Sequence, residues 1–352
     1  MAKKRFGIAI IGAGMIGFKH AQVLSSMQRP QLVAIYDHRI ENAQRLAEQF
    51  DCDAYSDLEQ LLKREDIQIV SICSPSGLHG QQAILCANAG KHILVEKPMD
   101  IRWEQAQQMI AACHHNQVKL GVISQHRFHP DIIKAKTMIN QGQLGKIIAG
   151  NASINWYRNQ EYYDSASWRG TKRWDGGGAL MNQGIHTIDL LQYLAGPVNS
   201  VYAQCRTAGH DRIEVEDVAA ITLQYNNGAI GTLFATTCAY PGYHTRIELI
   251  GTKGTIILEN NKLQCIHLSD DPASSYISPT SPSSNQGQLG PEDTMGETHI
   301  DQLEDFLDAI ELDREPAVNG EEGAKPLGIV IASYLSSDAG RPVQIREIWN
   351  NG

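Results

Sequence analysis

The hexapeptide Gly12-Ala13-Gly14-Met15-Ile16-Gly17 stands directly after the apolar run Phe6 to Ile11 and opens a helical stretch reaching about Met27. No other feature of the chain limits its fold as strongly. The preceding run lacks polar alternation, as expected of a strand buried on both faces. Glycines at this spacing allow a sharp turn, a close approach of a ligand to the backbone, and tight helix–strand packing. Asp37 follows the next apolar run, Gln31 to Tyr36, twenty residues after Gly17. A glycine triad alone is a weak signal. Strand, turn, helix and acid in this order make a dinucleotide-binding βαβ unit. Gly12, Gly14, Met15, Ile16 and Gly17 would then face a pyrophosphate at the helix N-terminus, where N–H groups point outward. Asp37 and the adjacent His38 would take the adenosine ribose. A carboxylate there repels a 2′-phosphate, so NAD is favoured over NADP, although Arg39 leaves dual use open. The plainer alternative is that the glycines only turn the chain.

The same grammar continues to about residue 124. Further strands are expected at Ile67 to Cys73, His92 to Val95 and Lys119 to Ile123, alternating with helices at Glu41 to Phe50, Asp57 to Lys63, Gly80 to Ala89 and Trp103 to Asn116. Alternating strands and helices make a doubly wound parallel sheet. A helix at Asp131 to Gln141 follows, and then long strand patterns take over: Lys146 to Tyr157, Val198 to Thr207, Asp217 to Tyr225, Gly228 to Tyr240, Thr245 to Ile250 and Thr255 to Glu259. Asn226-Asn227-Gly228 is a hairpin signal. The expected fold is therefore α/β: a Rossmann domain over residues 1–124, then an α+β domain with a large, mostly antiparallel open sheet over 125–352. A helix near Leu180 to Leu194 interrupts the strands. Residues Ser269 to Gly296, rich in Ser, Pro and Gly, read as a loop, and helices near His299 to Leu312 and Pro326 to Ser337 close the chain. Pro326 marks a late start or a kink.

Composition narrows the function. A formal charge of −9 and no basic block argue against nucleic acid as the main partner. No apolar stretch approaches the ~20 residues of a membrane helix. The basic start Lys3, Lys4 and Arg5 leads into a run broken by glycines, with no cleavage site after it, so no secretory leader is expected. Seven scattered cysteines without a CxxC pair read as reduced thiols in the cytoplasm. The thirteen histidines lack metal spacing, and no metal is expected.

Two further segments carry chemistry. Glu96-Lys97-Pro98 ends the fourth strand, at the edge where a doubly wound sheet binds its ligand, and Ser74-Pro75 ends the third. A lysine there can stabilise a developing alkoxide, although by position alone Lys97 is as well explained as a surface charge. His79 could touch a cofactor or cap the following helix. Downstream, Gly176-Gly177-Gly178 precedes a helix on which Asn182 and His186 stand four apart, on one face. An imidazole beside an amide can accept a proton near neutral pH, whereas the bland alternative is a satisfied core histidine. Tyr162 and Tyr163 could stack on a sugar or simply pack a core.

The ordered set GAGMIG, Glu96-Lys97-Pro98 and GGG…Asn182…His186 resembles the Gfo/Idh/MocA oxidoreductases over essentially the whole chain. Gly251-Thr252-Lys253-Gly254 and the closing Gly340-Arg341-Pro342-Val343 pattern extend the likeness. The segment Tyr162 to Thr171, Val215-Glu216-Asp217 and the Asn182-Gln183 pair look like the UDP-N-acetylglucosaminuronate 3-dehydrogenase branch. Many members carry Asp where this chain has Asn182, which removes one candidate proton acceptor. The resemblance implies a hydride exchanged between nicotinamide and a secondary hydroxyl, best guess C3, of a sugar or sugar nucleotide. It implies that Lys97, His186 and Asn182 form the catalytic set, His186 being the favoured base. It places Ser74, Pro75, His79, Glu96, Lys97, Gln125, Trp168 and Arg169 near the cofactor. Lys97, Arg127, Tyr163, Arg169, Asn182 and His186 fall near the substrate. For each arginine the alternative is an ion pair. The open sheet implies a homodimer or homotetramer. An inositol or free-sugar dehydrogenase is the second reading, and a non-catalytic NAD-binding regulator the third. A hydrolase is disfavoured, since no GxSxG-type nucleophile is present.

Overall fold

The computed structural model describes residues 4–277 and 296–349. Much of the expected loop at 269–296 lies outside them. The chain divides into two compact units: the described residues to 125 with residues 296–324, and the remainder.

The first unit is built on six strands: β1 (Phe6–Ile11), β2 (Pro30–Tyr36), β3 (Asp53–Tyr55), β4 (Ile69–Ile72), β5 (His92–Val95) and β6 (Leu120–Val122). They pair in the order β3-β2-β1-β4-β5-β6, every pair parallel. The order reverses beside β1, which makes its C-terminal end the switch point where such sheets bind ligands. Helices α1 (Met15–Ser26), α2 (Ile40–Phe50), α3 (Leu58–Leu62), α4 (His79–Asn88) and α5 (Trp103–His115) supply the crossovers. The sequence pattern missed β3 because three residues are too few to show a period.

The second unit contains α6 (Pro130–Asn140), α7 (Gln160–Asp164) and α8 (Ile185–Ala195). Its nine-stranded sheet runs through β7 (Ile147–Asn155), β8 (Val198–Arg206), β9 (Val218–Tyr225), β10 (Ile230–Thr236), β11 (Arg246–Gly251), β12 (Gly254–Glu259), β13 (Lys262–Leu268), β14 (Tyr276–Ile277) and β15 (Val343–Gln344), in the order β14-β13-β12-β11-β7-β10-β9-β8-β15. Only β7 and β10 pair in parallel. Strand β9 alternates throughout, and β8 and β10 do so except at Ser200-Val201 and Ala235-Thr236, where two neighbours are both buried. Val201, Ala203, Ile221, Leu223 and Leu233 are buried, while Tyr202, Ile230 and Phe234 on the other face are exposed. β13, which the pattern did not indicate, completes a hairpin with β12 through Asn260 and Asn261, both at positive φ.

Residues 296–324 return to the first unit, whereas a single cut at 124/125 assigned everything beyond it to the second. Helix α9 (Glu297–Glu311) buries Leu303, Phe306 and Leu307 in the core formed around Ile8, Ile10 and Leu94. Arg29, 4% exposed, holds Glu304, Asp308 and Glu311 of that helix at 2.6–2.8 Å. Gln302 ties it to the end of β6, accepting from the Ser124 N–H and donating to the Val122 carbonyl. Helix α10 (Gly320–Ala339) starts six residues before Pro326, not at it. Asn319 accepts from the Glu322 N–H and caps the helix, so Pro326 falls in its second turn. α11 (Ile345–Trp349) closes the described chain.

Candidate active site

In the first unit the glycine turn has the geometry the sequence called for. Gly12 sits at φ +104°, where a Cβ would lie 2.8 Å from the Cys73 carbonyl, and a Cβ on Gly17 would lie 1.9 Å from the Gly12 oxygen. Gly14 is different, because a Cβ there would meet nothing within 4 Å. The protein's own packing does not demand that glycine, and its absence of a side chain leaves the start of α1 open. Helix α1 begins there with no side-chain cap, so its first N–H groups are available to an anion. Met15 is exposed, while Ile16 leans on the core. Asp37, at the end of β2, accepts from the Ala13 N–H (3.0 Å) and from the Arg39 N–H (3.0 Å), so the acid and the turn are built as one piece. His38 is exposed, with Nδ1 3.1 Å from Asp37 Oδ1. These features fit the pyrophosphate and ribose of NAD.

Beyond β4, the Ser74 hydroxyl donates to Gln82 Oε1 (2.6 Å), and Pro75 leads a 3-10 turn, Ser76–Leu78. His79 is 1% exposed, and its ring nitrogens lie 2.8 Å from the carbonyl oxygens of Ser74 and Pro98. Both are engaged with backbone, so His79 clamps two loops together rather than reaching outward.

Glu96 and Lys97 follow β5. The Glu96 carboxylate is buried; one oxygen faces His20 Nε2 (2.9 Å) and the other accepts from the Lys97 N–H (3.1 Å). Burial opposes its ionisation, but the His20 hydrogen bond and charge overcome this and hold it well below the usual carboxylate range. His20 Nδ1 lies 2.9 Å from the Ser71 hydroxyl. Sequence reading placed Glu96 at the cofactor; here its oxygens anchor the peptide from which Lys97 departs. Gln125 is buried and opens the 3-10 turn Gln125–Phe128.

In the second unit the histidine helix starts with a widened turn. Ala179–Gly184 is π-helical, with the Gln183 N–H reaching the Gly178 carbonyl, and α8 follows. Asn182 and His186 therefore straddle a π/α junction, a device that often re-aims side chains at functional sites. Two residues hold this turn: Glu216, noted in sequence only as part of the Val215-Glu216-Asp217 motif and given no role, and Asp175, which no motif indicated. Glu216 accepts from the Gly178 N–H (3.0 Å), the Leu180 N–H (2.8 Å) and the Tyr334 hydroxyl (2.9 Å). Its burial pushes its pKa up even against these donors. Asp175, 3% exposed, accepts from Asn182 Nδ2 (2.7 Å) and from the Gly170 N–H (2.7 Å). The glycine run is explained by close approach: a Cβ on Gly178 would lie 2.0 Å from the Glu216 carbonyl, and one on Gly177 1.9 Å from the Tyr334 hydroxyl. The His186 ring stands edge-on to His126, centroids 4.7 Å apart. Replacing Glu216 with Gln would turn an amide N–H toward a donor and is expected to cost about 1–3 kcal/mol in denaturant unfolding; unchanged stability would mean that water replaces the lost acceptor.

Other expected substrate contacts have internal partners. Arg127 makes a bidentate pair with Asp189 (2.8 and 2.6 Å), both buried, and its guanidinium lies 4.5 Å from the Tyr193 ring. Tyr163 is 5% exposed, its hydroxyl 3.0 Å from Thr237 Oγ1, and burial raises its pKa. Tyr162, not Tyr163, joins the Asn182 cluster: its hydroxyl accepts from Gln183 Nε2 (3.0 Å). The Arg169 guanidinium lies 4.2 Å from the Tyr162 ring and 5.2 Å from the Trp168 ring.

The family profile described as an oxidoreductase family with an NAD-binding Rossmann fold matches residues 6–124, and that of the GFO/IDH/MocA C-terminal domain matches residues 132–257. The chain is similar to the WlbA dehydrogenase from Bordetella pertussis, solved in complex with NADH and UDP-GlcNAcA. The two are 32% identical, with 97% of this chain and 99% of the other covered and a TM-score of 0.84. The WlbA dehydrogenase from Chromobacterium violaceum, solved with the same two ligands, is 31% identical over 98% of this chain and 97% of its own, with a TM-score of 0.85. Myo-inositol 2-dehydrogenase of Thermotoga maritima is 26% identical, covering 97% of this chain and 99% of the relative.

Proposed function

Because the chain belongs to the GFO/IDH/MocA oxidoreductase family and is an NAD-dependent dehydrogenase acting on sugar hydroxyls, we propose that it oxidises or reduces the C3 position of a sugar or sugar nucleotide. One observation carries the reading. A phosphate-binding turn locked to its ribose acid occurs in a chain whose other unit fixes an Asn–His pair at a widened helical turn. NAD, when bound, supplies the acceptor for the hydride that leaves the substrate carbon. His186 takes the hydroxyl proton, and Asn182, held by Asp175, orients the group beside it. The Lys97 ammonium stabilises the oxygen as negative charge develops on it. Likeness to both sugar-nucleotide and inositol dehydrogenases keeps a cyclitol or free sugar as the alternative substrate.

The direct test is NADH formation with UDP-N-acetylglucosaminuronate, other UDP-hexoses, free hexoses, hexose phosphates and inositols, each with and without a 2-oxo-acid acceptor. Turnover with one class identifies the substrate family. NAD binding with no turnover across the panel would favour the regulator reading. For the cofactor, Asp37→Ala is expected to raise KM for NAD about tenfold or more, since charge-assisted hydrogen bonds contribute about 1.5–3 kcal/mol each, and to erase the preference over NADP. An unchanged preference would remove Asp37 from the ribose.

Two features support the remaining expectations. Among the described residues no helix is long and apolar enough to cross a membrane, and all seven cysteines are free thiols, in keeping with a cytoplasmic protein. The exposed face carrying Tyr202, Ile230 and Phe234 suits burial against a second copy, as a homodimer or homotetramer. Sedimentation that returns a monomer would sink that assignment.

A further inference from the structure

Arg158 and Arg169 both lie against one aromatic ring in the second unit, with no neutralising acid among the described residues. The Arg158 guanidinium lies 4.9 Å from the Tyr162 ring, and that of Arg169 lies 4.2 Å from the same ring. Arg158 donates through Nε (3.2 Å) and Nη2 (3.0 Å) to the neutral Gln183 Oε1. Arg169 donates through Nη1 to the Tyr162 carbonyl (3.3 Å), and its buried Nε has no partner. Neither forms an ion pair with a carboxylate among the described residues, whereas the nearby Arg212 pairs with Asp164 and Arg127 with Asp189. Two half-buried guanidiniums sharing one ring repel each other and are incompletely solvated, an arrangement an anionic ligand relieves. Planar forks stacked on aromatic rings are preorganised for carboxylate or phosphate oxygens. Gln183 also links the pair to the chemistry, because its Nε2 lies 3.3 Å from Asn182 Oδ1.

We propose that Arg158 and Arg169 form an anion clamp that selects sugars carrying a carboxylate or a phosphate over neutral ones. This rests on the dehydrogenase reading and deepens it by fixing the charge class of the substrate. Arg158, which no sequence motif indicated, is a specificity-determining residue here, and Gln183 positions it.

The test is calorimetric binding to the full chain saturated with NADH, using four probes. Glucuronate carries only a carboxylate, UDP-N-acetylglucosamine only phosphates, UDP-N-acetylglucosaminuronate both, and myo-inositol neither. The unaltered protein should bind an anionic probe more tightly than inositol. Arg158→Gln and Arg169→Gln should each weaken that binding about tenfold or more, and Arg158→Gln should leave NADH and inositol binding unaffected. Arg158→Lys should keep part of the affinity, retaining charge but losing the fork. A loss confined to glucuronate assigns the clamp to a carboxylate, and one confined to UDP-N-acetylglucosamine assigns it to phosphate. Thermal unfolding gives an independent readout: removing an uncompensated cation should leave the midpoint unchanged or raise it, whereas a structural ion-pair role would lower it. The proposal is overturned if inositol binds as tightly as every anionic probe, or if the Gln variants bind all probes normally. Arginine-dependent binding without oxidation of any sugar would leave the clamp standing and sink the dehydrogenase reading; turnover of a neutral sugar with no anionic binding would do the reverse.

Discussion

Replacing Lys97 with alanine is expected to lower kcat by about 10²–10⁴-fold, the range typical of a positioned proton-transfer or charge-stabilising group, while NAD affinity changes little. The side chain leaves a peptide that the structure holds rigidly. The Lys97 N–H donates to Glu96, the other Glu96 oxygen faces His20, and His20 reaches Ser71 inside the sheet. A group anchored this way contributes by being in place before the reaction, so its loss should appear in turnover rather than in ground-state binding. Steady-state rates alongside NAD titration separate the two. Equal losses in both would make Lys97 a binding residue and leave His186 as the sole candidate for the proton.

Arg127→Ala is expected to destabilise the chain by about 3–5 kcal/mol, the usual cost of removing one partner from a buried ion pair. Asp189 would be left 2% exposed with no bidentate partner, inside helix α8, which also carries His186. The loss should therefore register as a lower midpoint in denaturant, with an unchanged slope. Replacing both members, Arg127→Met with Asp189→Leu, should recover much of the stability, because no unpaired charge then remains. If Arg127→Ala unfolds like the unaltered protein but binds substrate weakly, the guanidinium serves the ligand instead.

The two arginine sites separate what was legible in the sequence from what was not. Glycine spacing, the run Phe6 to Ile11 and the acid at Asp37 suffice to specify the nucleotide-binding half, because each requirement is local: a φ of +104° at Gly12, a close approach at Gly17, a carboxylate at a strand end. The alternation on β8 to β10 is local too, and the large open sheet follows from it. Strands of two or three residues, such as β3, β14 and β15, escaped because they span less than two periods.

The use made of each polar side chain was decided only in three dimensions. Arg127 and Arg169 read alike in sequence, both being arginines beside an aromatic or imidazole residue. Folding gives the first a carboxylate 62 residues away and the second two aromatic rings and, among the described residues, no acid. Tyr163 meets Thr237, Glu216 meets Gly178, Leu180 and Tyr334, and α9 crosses back to the first core. Periodicity reports which face of an element is buried, since that depends on neighbours a few residues away. Hydrogen-bond and charge partners come from segments tens to hundreds of residues apart, and nothing in the local pattern records which of them will meet.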